Sequence, residues 1–120
     1  MTYDTNNIFA KILRGEIPNK TVLENEYVLA FHDIHPQAPV HILVIPKGAY
    51  TDIGDFGAHA SEKEIAEFYR AVSQIAKDAG LTAEGYRVVA NTGVNGGQDV
   101  PHFHVHIIGG EKLGSSLRRS

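Results

Sequence analysis

The sequence predicts an α+β fold: a mainly antiparallel five-stranded sheet with one long and one short helix. Three observations carry this expectation. Five short β-type runs, at 21–24, 27–33, 40–45, 86–91 and 102–108, are joined by mostly short connections. One stretch places Ile65, Phe68, Tyr69, Val72, Ile75, Ala76 and Ala79 at helical spacing. The chain has 120 residues, which suits one domain with its own core. The domain is expected over 1–120, with short flexible ends at about 1–6 and 111–120.

The elements follow in order. Ile8, Phe9, Ile12 and Leu13 form a short helical stripe, with Asn7 as N-cap and Gly15 as stop. Asn25-Glu26 turns the first strand into the second. His35-Pro36-Gln37-Ala38-Pro39 carries two prolines and is read as irregular. Residues 40–45 are a nearly unbroken β-branched run, expected to be a central strand that Pro46-Lys47-Gly48 ends. Residues 51–60 read as a loop. Ser61-x-x-Glu64 then has the form of a capping box, opening a helix that Gly80 closes. The last two strands flank the glycine-rich stretch Thr92-Gly93-Val94-Asn95-Gly96-Gly97-Gln98-Asp99, read as a loop.

Composition excludes several classes. Cysteine is absent, so no disulfide framework and no thiolate-ligated metal can form. Net charge is −3, and the only basic cluster is Arg118-Arg119, which argues against nucleic acid as a partner. One phosphate of a mononucleotide, by contrast, can be held by a few neutral donors. No apolar run is long enough to span a bilayer, and the first residues lack the basic and apolar regions of a signal peptide. A cytoplasmic protein with no membrane partner is expected.

The run His102-Phe103-His104-Val105-His106 carries the chemistry. Alternation along a strand puts the three histidines on one face and Phe103, Val105 and Ile107 on the other. The apolar set is expected in the core, leaving a row of exposed imidazoles. A single three-histidine metal site is hard to build, because the Cα atoms of His102 and His106 would lie roughly 13 Å apart in a strand. A two-histidine site would need a third ligand, such as His41 or Asp33. Covalent catalysis fits better: a neutral imidazole with one nitrogen fixed as donor offers the other lone pair to phosphorus. No metal and no cofactor are expected.

His102-Phe103-His104-Val105-His106-Ile107-Ile108 resembles the motif of the histidine triad (HIT) superfamily. The resemblance runs over nearly the whole chain and is closest to the Hint branch of nucleoside phosphoramidases. It includes Ile8-Phe9-Ala10-Lys11-Ile12, Ala30-Phe31-His32-Asp33-Ile34, Pro36-Gln37-Ala38-Pro39, Leu43-Val44-Ile45-Pro46-Lys47, Gly96-Gly97-Gln98 and Gly109-Gly110. The resemblance implies a HIT-like fold and a purine nucleotide substrate, AMP- or GMP-like. It makes His104 the nucleophile on the α-phosphate, through a nucleotidyl-histidine intermediate. The His102 carbonyl would accept the His104 ring N–H, and His106 would contact phosphate oxygens. Asp33 would take the ribose hydroxyls, and Asn91 would lie near phosphate and ribose. Gly97 and Gln98, with Asp99 and Val100 beside them, would line the phosphate loop. Ile8, Phe9, Ile12, Phe31 and Ile34, next to His32, would form the base pocket. It also implies a homodimer whose two sheets join into one of ten strands.

Three departures stand out. Many relatives carry a fourth histidine shortly after Ile-Pro-Lys; here that position is Ala49, with Tyr50 and His59 as candidate substitutes. Asp99 stands where eukaryotic Hint proteins have a small hydroxyl residue. A carboxylate ~4 Å from a phosphate costs several kcal/mol at an effective dielectric of 20. Asp99 must therefore turn outward, be protonated, or meet a cation such as the amine of a leaving group. The tail 111–120 lacks the aromatic segment of animal Hint proteins, which bears on leaving-group choice. Two other functions stay open: dinucleoside polyphosphate hydrolysis, as in the Fhit branch, and a nucleotide-binding interaction module with little catalysis.

Overall fold

Strand alternation sorts the apolar side chains of this chain into two layers, one on each face of a single sheet. The computed structural model describes residues 2–115 and 117; the basic pair Arg118-Arg119 lies outside them. In chain order the elements are α1 (Ile8–Leu13), β1 (Thr21–Glu24), β2 (Val28–His32), β3 (Val40–Pro46), α2 (Ile53–His59), α3 (Glu62–Asp78), β4 (Tyr86–Val89), α4 (Gly93–Gly96) and β5 (Val105–Gly109). The five strands form one sheet in the order β1-β2-β3-β5-β4, antiparallel throughout. The α+β expectation is met.

On one face, Val28, Ala30, Ile42, Val44, Val105 and Ile107 pack against α2 and α3 through Phe56, Phe68, Val72 and Ile75. The helix α3 starts as its sequence dictates. Ser61 and Glu64 form a capping box, each side chain bonding the other's backbone N–H. On the other face, Leu29, Phe31, Leu43 and Ile45 are covered by the short helix α1 through Phe9 and Ile12. Asn7 caps α1, its side chain accepting from the Ala10 N–H at 2.9 Å. The site lies on this second face.

Three expectations are corrected. Residues 51–60 hold a helix, α2, capped by Asp52, whose carboxylate accepts from the Asp55 N–H. Gly54 and Gly57 hide it from propensity, but burial of Phe56 against Phe68 and Phe103 pulls it into the core. The glycine-rich stretch contains one helical turn, α4, ended by Gly97 in the left-handed region at φ 72°. The last strand starts at Val105, three residues later than expected. Pro101 has no N–H to give, and the Phe103 N–H goes to the Tyr50 carbonyl at 2.7 Å, so 102–104 is held by the segment after β3 rather than by the ladder.

At the end of β5 the chain turns through Gly110, at φ +91°, where a Cβ would sit 2.9 Å from the Pro39 side chain. Gly110→Ala is expected to destabilise the protein by about 1–3 kcal/mol. Gly57→Ala, in α2 with open space around it, should stabilise by about 0.5–1 kcal/mol. Urea unfolding midpoints at constant m-value check both signs.

Candidate active site

Cross-strand register brings the polar groups together. Leu43 pairs with His106 and Ile42 with Ile107, so His106 points to the α1 face while Ile107 joins the main core. By the same alternation His41 projects from β3 on the His106 side. Asp33 lies just past the end of β2, where its N–H donates to the His41 carbonyl at 3.0 Å. Facing ring atoms of His41 and His106 are 2.9 Å apart, and an Asp33 carboxylate oxygen is 3.5 Å from His41 Nε2. His32 pairs with Ile42 and shares its face. Alternation therefore turns it away from His106, contrary to the site reading.

The exposed row of imidazoles is also corrected. His102 is fully buried and His104 is 5% exposed; only His106 is half-buried. Phe9 covers His104 edge-on, with centroids 4.9 Å apart, and His106 lies against its other side at 5.1 Å. Phe9 of α1 lies edge-on to both His102 and His104, so these two imidazoles are covered rather than lying on an open surface.

Backbone groups decide which ring nitrogens carry protons. His104 Nδ1 is 2.7 Å from the His102 carbonyl, which can only accept. A neutral His104 therefore keeps its lone pair on Nε2. His102 Nε2 is 2.8 Å from the Pro46 carbonyl, so Nε2 carries its proton and Nδ1 accepts from the Tyr3 hydroxyl. The Gln37 N–H donates to His41 Nδ1 at 3.0 Å. The neutral His41 proton then sits on Nε2 and is donated to His106 Nδ1, leaving His106 with an Nε2–H to offer. His41 is the residue the sequence reading underused; its only signal there was as a spare metal ligand.

Asp33, His41 and His106 do bring three potential ligand atoms within 4.8 Å of one another. A cation on His41 Nε2 would force the ring proton onto Nδ1, against the Gln37 N–H. The cluster is better matched to an ordered proton chain than to a metal.

Burial lowers the pKa of all three triad histidines. It takes His102 to about 4, opposed by the Pro46 carbonyl bond. It takes His106 to about 4, helped by the like charges of protonated His104 and His41. For His104 burial outweighs the bond to the His102 carbonyl and the attraction of Asp99 and Asp33. The nucleophile-type lone pair is thus present at neutral pH.

The glycine-rich segment is shaped by its own amides. Gln98 donates to the carbonyls of Thr51 and Val100 and accepts from the Gly93 N–H. Its side chain is spent on holding the loop, so its backbone N–H is the group left to line it. Asn91 donates to the Gly96 carbonyl at 2.7 Å, keeping its Oδ1 for other partners. Gly97 and Asp99 are exposed, and Val100 packs against the α1 cluster. Phe31 and Ile12 are buried there as well, whereas Ile8 is 44% and Ile34 80% exposed. Asp33 spends one oxygen on the His35 N–H at 2.8 Å. Neither candidate for the missing fourth histidine reaches the site. The Tyr50 hydroxyl donates to Glu64 and His59 bonds Asp55, while Ala49 is exposed.

The HIT domain family model matches residues 14–113. The chain belongs to the HIT family. It is 58% identical over 118 residues to a HIT-like protein of Azospirillum brasilense, covering 98% of this chain and 97% of that one. It is 42% identical over 110 residues to the purine nucleoside phosphoramidase of Escherichia coli K12, covering 92% of each. A crystal structure of a HIT family hydrolase from Legionella pneumophila superposes with a TM-score of 0.83 at 38% identity, covering 92% of this chain and 98% of that one. The HIT fold of this chain, sheet and helices, is that of its relatives.

A histidine whose pKa is depressed on folding binds fewer protons folded than unfolded in the interval between the two values. The contribution of His102 is thus complete above pH ~6.5 and disappears as pH falls toward about 4. Stability is expected to drop across that window by on the order of 3 kcal/mol from His102. Urea unfolding at pH 7, 5.5 and 4.5, compared with His102→Gln, checks this; the variant should show a shallower slope.

Proposed function

We propose that this HIT-family hydrolase is a purine nucleoside phosphoramidase acting at the α-phosphate through a nucleotidyl intermediate on His104. One observation carries the reading: the His104 Nδ1–H is held by the His102 carbonyl, so the lone pair stays on Nε2 of a ring only 5% exposed. Nε2 attacks phosphorus, and the P–N bond to the amine breaks. The His106 Nε2–H, fixed by the His41 chain, supplies the proton that the departing amine needs. Water then attacks phosphorus and gives its proton to the His106 Nε2 left bare by the first step, the P–Nε2 bond breaks, and both His104 and His106 are restored.

Asp33 would receive the ribose hydroxyls on the carboxylate oxygen not used by His35. Phe9, Ile12 and Phe31 would form the floor of the base pocket, with Ile8 and Ile34 as its exposed rims. Backbone amides of Gly97, Gln98, Asp99 and Val100, with Asn91, would face phosphate. The E. coli relative named as a purine nucleoside phosphoramidase supports this choice of substrate. We further propose a homodimer through the edge strand β4, where Tyr86 and Val88 are 40% and 44% exposed on one face. Among the described residues no helix is long and apolar enough to cross a membrane, in keeping with the proposed cytoplasmic location.

His104→Ala should lower turnover of adenosine phosphoramidate by on the order of 10⁴-fold while leaving AMP affinity within a fewfold of wild type. Acid quench of wild type during turnover should trap an acid-labile nucleotide adduct on His104; turnover without such an adduct defeats the covalent mechanism. A parallel assay with diadenosine polyphosphate separates the Fhit-type activity, and an inactive wild type on both leaves the binding-module reading. Val88→Lys should shift the mass measured by light scattering from dimer to monomer.

A further inference from the structure

Tyr3 belongs to no helix or strand, and no motif in the sequence points to it. The segment around it is nevertheless tied down. The Asp4 carbonyl accepts from both the backbone N–H and the Nδ2 of Asn7, at 3.3 and 2.7 Å. The Thr5 carbonyl accepts from Arg14 at 2.7 Å. This lays the N-terminal strand of chain alongside α1 and delivers the Tyr3 hydroxyl to His102, 99 positions away in the sequence. The oxygen lies 2.5 Å from Nδ1, and the two rings meet edge to face with centroids 5.6 Å apart.

The partner it meets has no alternative. His102 is fully buried, and its other nitrogen is committed to the Pro46 carbonyl at 2.8 Å. Its Nδ1 is therefore a buried acceptor, and the phenol is the donor that satisfies it. The same residue then acts in the opposite direction through its backbone, where its carbonyl accepts the His104 Nδ1–H at 2.7 Å. One residue is thus gripped on both ring nitrogens while its carbonyl grips its neighbour.

We propose that Tyr3 is a positioning residue: its hydroxyl holds His102 as a neutral ring pinned to Pro46, and so fixes the carbonyl that aims His104. This inference rests on the reading of His104 as the nucleophile. Removing the hydroxyl leaves the buried Nδ1 unpaired. Burial disfavours a second proton on the ring, so the ring moves its proton from Nε2 to Nδ1, which breaks the bond to Pro46 and lets the 102–104 segment shift. That shift acts first on the aim of His104 and so on the attack step. A tyrosine that merely filled space would be replaced by phenylalanine without loss.

Tyr3→Phe tests this, since it keeps the ring and deletes only the hydroxyl. The expected result is a fall in kcat of roughly tenfold with KM within about twofold of wild type. The rate of nucleotidyl transfer to His104 in a single turnover should fall with it. Unchanged kcat, at whatever stability, overturns the proposal. Nitrogen-15 NMR of His102 provides a second arm that needs no substrate. In wild type, Nε2 should carry the proton and Nδ1 should show an accepted hydrogen bond that Tyr3→Phe removes. A wild-type His102 protonated on Nδ1 overturns the proposal even if the variant does not fold. If wild type turns over no phosphoramidate, the proposed function fails, while the NMR arm still decides whether Tyr3 holds His102.

Discussion

An imidazole has two nitrogens, and whichever backbone group meets one of them dictates what the other can do. That constraint organises this site. The His102 carbonyl takes Nδ1–H of His104, the Pro46 carbonyl takes Nε2–H of His102, and the Gln37 amide takes the lone pair of His41. Three main-chain groups, on three separate segments, thereby set the protonation pattern of four histidines. No charged side chain is needed to do it. Burial adds to the same end by keeping the rings of His102, His104 and His106 neutral at ordinary pH, so for these three the tautomers chosen by the backbone are the species present.

The sheet makes these contacts possible by separating its two faces. The face under α2 and α3 holds the larger aromatic and aliphatic core, with Phe56, Phe68 and Phe103 in mutual contact. The opposite face is covered by the two turns of α1, with Ile17 and Val100 at its edges, and its apolar cluster ends where His41, His104 and His106 begin. Phe9 belongs to both worlds: it packs on Phe31 in the cluster and edge-on against His104 in the site. The charges nearest His104 and His106 are carboxylates, Asp33 and Asp99, which pull their pKa values up against the stronger effect of burial. Of the two, Asp99 is exposed.

Where the chain was legible, the signals were local and periodic. Asn7 and Gly15 bracket α1, Ser61 and Glu64 open α3, and the apolar alternation of Phe103, Val105 and Ile107 marks their burial correctly. The helix α2 was not legible, because two glycines dilute a pattern whose one decisive residue, Phe56, is rewarded only by residues distant in sequence. The start of β5 was misplaced for a related reason. Three alternating histidines look like strand, but the partner of the Phe103 N–H is Tyr50, after a different strand. The spacing of Gln98 beside the glycines gave its place in the loop, but not that its side chain braces the loop through Thr51 and Val100.

The sequence by itself determined the sheet and its apolar faces, and it carries the alternating-histidine motif of the family to which the chain belongs. Each of these follows from spacing along the chain, which periodicity and motif record directly. Only the tertiary structure decided that the imidazoles are buried, that His41 joins His106, and that Tyr3 closes on His102. Proton placement on a histidine depends on the group standing opposite each nitrogen. In this fold those groups come from 99 and 65 positions away, and from the Pro46 carbonyl beyond another strand. The triad is written in one run of residues, but its chemistry is set by what the fold brings against it.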